Sequence, residues 1–477
     1  MEEKVKINEV KNLEERSNHS LGKILSYTSA WLIDSMIIAI YGVTVFYFYE
    51  VEIGLAVFYV ALAFGIFAVW NAFNDPLIAF LTEKPRSKES IGKYGFRTPW
   101  IIFGAFSVAF LFFIIFLPPN IDAKSNPLPV FIYMIVTICL FDTCYTILNS
   151  NLTAGAIAIF KTENSRRKFG VFALIFSTMG LILVNAIILP NFLEFGNKES
   201  FVLASGITMV ILFINAIIII PGIREPDHVK ECYLVGREET GEKKLSLIKI
   251  LKVALSKKNF IVYIIAYFLF AIEYNLFYAS QLYFIEDVLG QGTDFLMYGW
   301  LAFIVGFLVA IPLWLKISKK IGNWRVYGYG YIFMGLALLP FLWLITPLQF
   351  IICAFFVGFC YSAPAIILFP IISDTFDEIT ATTGAHQDAT LQGIANFFFR
   401  FSYLIVAAII AIVHIATGYI QEPNAVQTQL AVTGVRVHTG LIPAILLLIA
   451  GILFLLFYDI YGAKKLKIQE ILIEKNI

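Results

Sequence analysis

Residues 70–100 read WNAFNDPLIAFLTEKPRSKESIGKYGFRTPW, and their order decides the fold. Asn71, Asn74 and Asp75 sit inside an apolar run, which then breaks into a short loop, 84–97, crowded with Lys and Arg. A carboxylate about two turns inside an apolar helix costs at least ~2.5–3.5 kcal/mol on insertion scales, so Asp75 needs a partner or a cation. The basic loop marks the side of the membrane on which this helix ends. Two readings of Asp75 stay open here. It either caps the loop by pairing with Lys84 or Arg97, or it binds a cation.

Working outward, the same alternation of apolar run and polar break repeats along the chain. Hydrophobic residues make up 59% of the 477, and charged residues only 14%, where a soluble chain carries about a quarter. A run of about 20 apolar residues crosses a hydrocarbon core as a helix. Six such runs fall at about 24–49, 54–81, 98–117, 129–160, 169–192 and 200–222. Six more fall at about 259–285, 295–317, 325–345, 347–373, 387–417 and 438–461. The reading is an all-α integral membrane protein of twelve transmembrane helices in two six-helix bundles.

The longest polar segment, 223–258, separates the halves, so the expected division is 1–222, a connector over 223–258, and 259–477. Residues 245–255 of the connector have an amphipathic pattern suited to a membrane surface. A net charge of +1 points away from nucleic acid. The first 20 residues are charged and read as a tail rather than a cleavable leader. The five cysteines have neither CxxC spacing nor an even set in loops, so neither a metal site nor disulfides are expected. HExxH, GxSxG and phosphate-cradling glycine motifs are missing from the sequence, which argues against an enzyme.

Orientation follows from counting Lys and Arg. With both termini on one side, 31 of the 35 lie on that side. The positive-inside rule then places both termini in the cytoplasm, here of a cell bounded by a plasma membrane. Residues 62–84 and 301–320 also resemble each other, each ending a second-in-half helix with a short basic loop. Two related six-helix halves suggest the major facilitator arrangement, with a solute site between them.

Away from span ends, the ionisable residues inside apolar runs are Asp34, Asp75, Asp142, Glu273, Arg400 and His414. Asp34 and Asp142 lie mid-helix, where a purely structural role would need a buried donor. Arg400 serves either as a mobile partner of these acids or as a fixed counter-ion. Glu273, beside Tyr274, Asn275 and Tyr278, is a candidate for cavity lining. His414, near the far end of its span, reads as an interfacial or helix-contact histidine. Asp374, Asp377 and Glu378 form an acidic end to span ten without Lys or Arg. They are either a solvated turn or, with Arg97, a cytoplasmic gate.

These residues resemble the glycoside-pentoside-hexuronide:cation symporters of the melibiose permease type. The resemblance rests on NDP at 74–76, GKYGFRTPW at 92–100, SDTFDE at 373–378, Asp34 with Glu50, and Asp142 in FDTCY. It also rests on the interval from Asp374 to Arg400, where the family has a buried lysine. It implies a twelve-helix secondary transporter moving a sugar, glycoside or uronate with Na+, Li+ or H+ by alternating access. By match, Asp75 would be the cation ligand with Asn71 and Asn74 beside it. Asp34 and Asp142, with Tyr145 and Glu273, would face substrate, and Arg400 would link the two sites. No cofactor beyond the coupling ion is implied, the partners being the solute and the bilayer, with a monomer as the working unit.

Departures narrow this expectation. Asn71 stands where sugar-transporting members have an aspartate, Cys139 replaces an oxygen ligand, and Thr146 replaces a tryptophan. With one carboxylate left beside the loop, proton coupling gains on sodium. An amphipathic lipid such as a lysophospholipid remains an alternative substrate, and a non-transporting receptor or scaffold an alternative role.

Overall fold

A computed structural model describes residues 20–82, 88–160, 163–227, 229–230, 247–383 and 388–474. The described residues form helices and no strands. Twelve helices are long and apolar enough to span a membrane. Span one is Leu21–Glu52, span four Pro127–Ile159, span seven Lys258–Val288 and span twelve Gln429–Phe457. Span two is the helix Val57–Thr82. Helix Lys88–Tyr94 lies within the basic segment that follows it, whose Lys84 falls outside the described residues. Helix Leu247–Ser256 occupies the amphipathic end of the connector. Cys232 and the rest of 231–246 fall outside the described residues.

One boundary differs in a way that matters. Span ten does not stop at 373 but continues as a single helix, Pro347–Thr383, so Asp374, Asp377 and Glu378 lie on helix rather than in a turn. Hydropathy marks where a helix leaves the apolar layer, not where its backbone hydrogen bonds end.

The chain divides into two compact units, 1–48 with 69–242, and 49–68 with 243–477. In the first, span one packs on span five, and span three on spans four and six. In the second, spans eight, nine and ten pack together, while span seven packs on eleven and twelve. Residues 49–68 group with the second unit, unlike the division expected from the 223–258 connector. Side chains account for this grouping. Glu50 is hydrogen-bonded to Tyr283 and His414, Phe67 meets Tyr403, and Gly65 lies against Leu404.

In the first unit, the GKYGFRTPW motif is a carboxylate clamp. Gly95 has φ +82°, which an L side chain rarely adopts, and the turn it allows aims two successive amides at one anion. Phe96 N–H and Arg97 N–H donate to the two Glu225 oxygens at 2.6 and 2.7 Å. The Thr98 hydroxyl donates to the Ile223 carbonyl at 2.9 Å, tying the start of span three to the end of span six. Hydrogen bonds to a charged group are worth about 1.5–3 kcal/mol each. Glu225→Gln keeps one acceptor and loses the charge. Its expected result is a lower melting temperature in purified protein, checked by thermal unfolding; an unchanged melting curve would show the clamp to be slack.

Candidate functional site

Spacing brings the first set together. Asn74 and Asp75 follow Asn71 by three and four residues on span two, so they share a helical face. Asp142 and Thr146 on span four are four apart and meet that face. Asn71 Nδ2 donates to Asp142 Oδ1 at 3.2 Å, and Asn74 Nδ2 donates to Asp142 Oδ2 at 2.9 Å. Asn74 Nδ2 also donates to Thr146 Oγ1 at 3.2 Å, and the Thr146 hydroxyl donates to Asp75 Oδ1 at 3.0 Å. The order is therefore Asp142, Asn74, Thr146, Asp75. Asn74 and Asp142 are 1% and 5% exposed, so these bonds work where water does not compete.

Proton accounting identifies what the set lacks. Both protons of the Asn74 amide are committed, and its Oδ1 is buried without a hydrogen-bond partner. A buried orphan acceptor costs about 1–3 kcal/mol unless something positive or protic reaches it. The set thus offers two carboxylates, an amide oxygen and a hydroxyl. Such hard oxygen donors suit an alkali cation or a proton. Among the described residues no three His, Cys, Asp or Glu side chains cluster as they would around a resident metal.

Asp142 is the residue whose placement most changes the reading. The resemblance has it facing substrate, as Asp34 does; in the structure it accepts the two amides of span two. A second group forms on the neighbouring face of span four: Tyr145 OH donates to Asp34 Oδ1 at 2.5 Å, and Asn149 Nδ2 donates to the same oxygen at 3.4 Å. Asp34, Tyr145 and Asn149 are only half-buried. Asn149 was not singled out from the sequence, although it lies seven residues, two helical turns, after Asp142.

The remaining candidates lie elsewhere. Glu273, 1% exposed, is in the second unit with its Oε2 buried and without a hydrogen-bond partner. Arg400 is half-buried on span eleven of the same unit. Arg97 reaches Asn151 Oδ1 at 3.4 Å, within the first unit. The acids of span ten meet the C-terminal helix Gly462–Glu474, Asp374 pairing with Lys465 at 2.7 Å and Glu378 with Lys464 at 2.8 Å. Asn259 joins Glu378 to Asp459 at 3.0 and 2.8 Å. Burial pushes the Asp459 carboxyl up, but hydrogen bonds from Lys464 and Asn259 and the charges of Lys464 and Lys258 outweigh it and hold it below the usual range. These pairs fasten the C-terminal helix to its own unit.

Residues 26–462 match the family described as "MFS/sugar transport protein". The chain is similar to a "Putative sulfoquinovose importer" of Escherichia coli, 24% identical over 90% of this chain and 89% of that one. It is also similar to a "Putative glycoside/cation symporter" of the same organism, at 22% identity over 84% of each. Among solved structures, a peptide transporter in complex with sulfate superimposes with a TM-score of 0.62 at 14% identity, covering 95% of this chain and 96% of that one. That likeness shows the major facilitator fold. Helices, family and relatives agree, and the chain belongs to the MFS/sugar transport protein family as a multi-pass secondary transporter, not an enzyme.

Proposed function

We propose that this protein couples a hard monovalent cation, Na+ or H+, to the passage of a small hydroxyl-rich solute, a sugar or glycoside. The observation that carries the reading is the committed Asn74 amide, which turns its orphan oxygen and the Asp75 and Asp142 carboxylates into one oxygen-donor set. Asp142 supplies the second carboxylate that Asn71 lacks, and this returns sodium to equal standing with the proton. In the first unit Asp34, Tyr145 and Asn149 present a carboxylate, a hydroxyl and an amide to solute hydroxyls; Glu273 is the buried carboxyl candidate of the second unit. Arg400 is the charge-linkage candidate of the second unit; Arg97 in the first unit, and Asp374, Asp377 and Glu378 in the second, are the candidates for cytoplasmic gating. The names of two relatives, an importer of a sulfonated sugar and a glycoside/cation symporter, favour a sugar over a lysophospholipid or a scaffold. The Lys and Arg asymmetry supports cytoplasmic termini in the plasma membrane, and a monomer is the working unit.

Thermal-shift screening of the purified protein against sugars, glycosides, uronates and lysolipids, with Na+, Li+ or pH varied, finds the solute and the ion. Uptake of that solute into vesicles then tests the coupling. Asp75→Asn is expected to abolish accumulation driven by the ion gradient, and undiminished accumulation would sink the proposal. Tyr145→Phe removes the hydroxyl that holds Asp34 and is expected to raise the KM for solute about tenfold, one hydrogen bond's worth. Its dependence on the driving ion is expected to stay unchanged.

A further inference from the structure

Three π-helical turns, Phe48–Glu52, Phe284–Val288 and Val437–Leu441, carry Glu50, Asp287 and His438. Such turns interrupt a helix at a local cost and concentrate at functional sites. Here they accompany a continuous buried hydrogen-bonded chain within the second unit. Tyr283 OH donates to Glu50 Oε2 at 2.5 Å, and His414 Nδ1 lies 2.8 Å from Glu50 Oε1. His414 Nε2 faces His438 Nε2 at 3.3 Å, and His438 Nδ1 meets Ser280 Oγ at 2.7 Å. Glu50, Ser280 and His438 are 0% exposed and His414 2%. The Tyr419 ring stacks on His414 at 4.1 Å, its hydroxyl donating to Asp287 at 2.8 Å.

Proton counting along this chain closes in two charge states, the second in more than one tautomer. In one, His414 is neutral with its proton on Nδ1, His438 Nε2–H donates to His414, and Ser280 donates to His438 Nδ1. In the other, His414 carries a proton on each nitrogen, His438 accepts at Nε2, and His438 Nδ1–H donates to Ser280. Every ring nitrogen is paired in both, and no heavy atom need move between them. The two states differ by a single proton. Without it, Glu50 is a buried anion beside neutral rings; with it, Glu50 and His414 form a hydrogen-bonded ion pair. Tyr283 O–H and His414 Nδ1–H donate to Glu50 in both states.

Other titratable groups lie around the chain. Span seven contributes Tyr283 and its π turn contributes Glu286 and Asp287; Tyr419 follows span eleven, and Glu52 follows Glu50. These add negative or neutral groups. The one cation beside His438 in sequence, Arg436, directs its guanidinium to the Phe341 carbonyl at 3.4 Å.

We propose that the Glu50–His414–His438–Ser280 chain is a binding site for one proton, made of residues apart from the Asp75 and Asp142 set. Its occupancy sets how firmly residues 49–68 hold to spans seven, eleven and twelve of their unit. This stands whether or not Asp75 binds the driving ion.

The test counts protons. Purified full-length protein in weakly buffered detergent is titrated between about pH 5 and pH 8, the range in which histidine exchanges its proton. His414→Asn keeps a donor where Nδ1 stood but cannot charge. Glu50→Gln removes the counter-anion. Each is expected to release about one proton fewer than wild type. The same difference is expected in an Asp75→Asn background, which separates this site from the coupling set. Gel filtration establishes that each variant is monodisperse. Equal proton release by wild type and either relay variant, both folded, overturns the proposal.

Discussion

In Asp142→Asn, ion-driven accumulation is expected to disappear although the protein still reaches the membrane. Asp142, 5% exposed, accepts one amide on each oxygen, from Asn71 and Asn74, which are 4% and 1% exposed. An asparagine there turns one of those oxygens into a donor facing a donor. The local network must then rearrange, at about 1–3 kcal/mol for the group left unsatisfied. The larger consequence is electrostatic. One of two carboxylates in the oxygen set is gone, and apparent affinity for the driving ion is expected to fall at least about a hundredfold, or about 2.7 kcal/mol. Ion-dependence curves for solute uptake measure this directly. A variant with wild-type ion affinity would mean that Asp142 only props up the two amides.

The second large effect concerns assembly of the second unit. Gly306 on span eight and Gly358 on span ten face each other's backbones. A Cβ on Gly306 would lie 2.1 Å from the Phe355 carbonyl oxygen, and one on Gly358 would lie 2.0 Å from that of Phe303. In a membrane, helices gain little from hydrophobic expulsion and associate through close packing, which small residues permit. Gly358→Val therefore forces two backbones apart rather than displacing a flexible side chain, and the expected loss exceeds about 4 kcal/mol. Fluorescence-detected gel filtration is expected to show aggregated or absent protein. Gly393→Ala, where nothing lies within 4 Å, is the matched control and is expected to behave as wild type. A monodisperse Gly358→Val protein with an unshifted melting temperature would contradict the packing argument.

Much of this architecture was legible before any coordinates. Twelve spans could be counted because an apolar layer demands about 20 residues per helical crossing and gives unsatisfied backbone no water to turn to. The face shared by Asn71, Asn74 and Asp75 was legible too, from helical spacing alone. The role of GKYGFRTPW was harder to read: its basic residues drew attention, but Gly95 and Glu225, far apart in sequence, form the clamp. Likewise the acids of span ten left a turn and a gate both open, whereas they lie on a continuous helix, with Glu378 and Asp374 paired to Lys464 and Lys465.

By itself, then, the sequence determined that the chain spans a membrane twelve times, which residues are too polar to be there without a reason, and which of them share a helix face. Those follow from the cost of burying charge and from the fixed pitch of the helix. Tertiary structure alone decided the pairings. It gave Asp142 the amides of Asn71 and Asn74, and it joined Glu50, Ser280, His414 and His438, drawn from four separated stretches, into one hydrogen-bonded chain. Helical periodicity relates residues a few positions apart, but it carries no information about which distant donor a buried acceptor will meet.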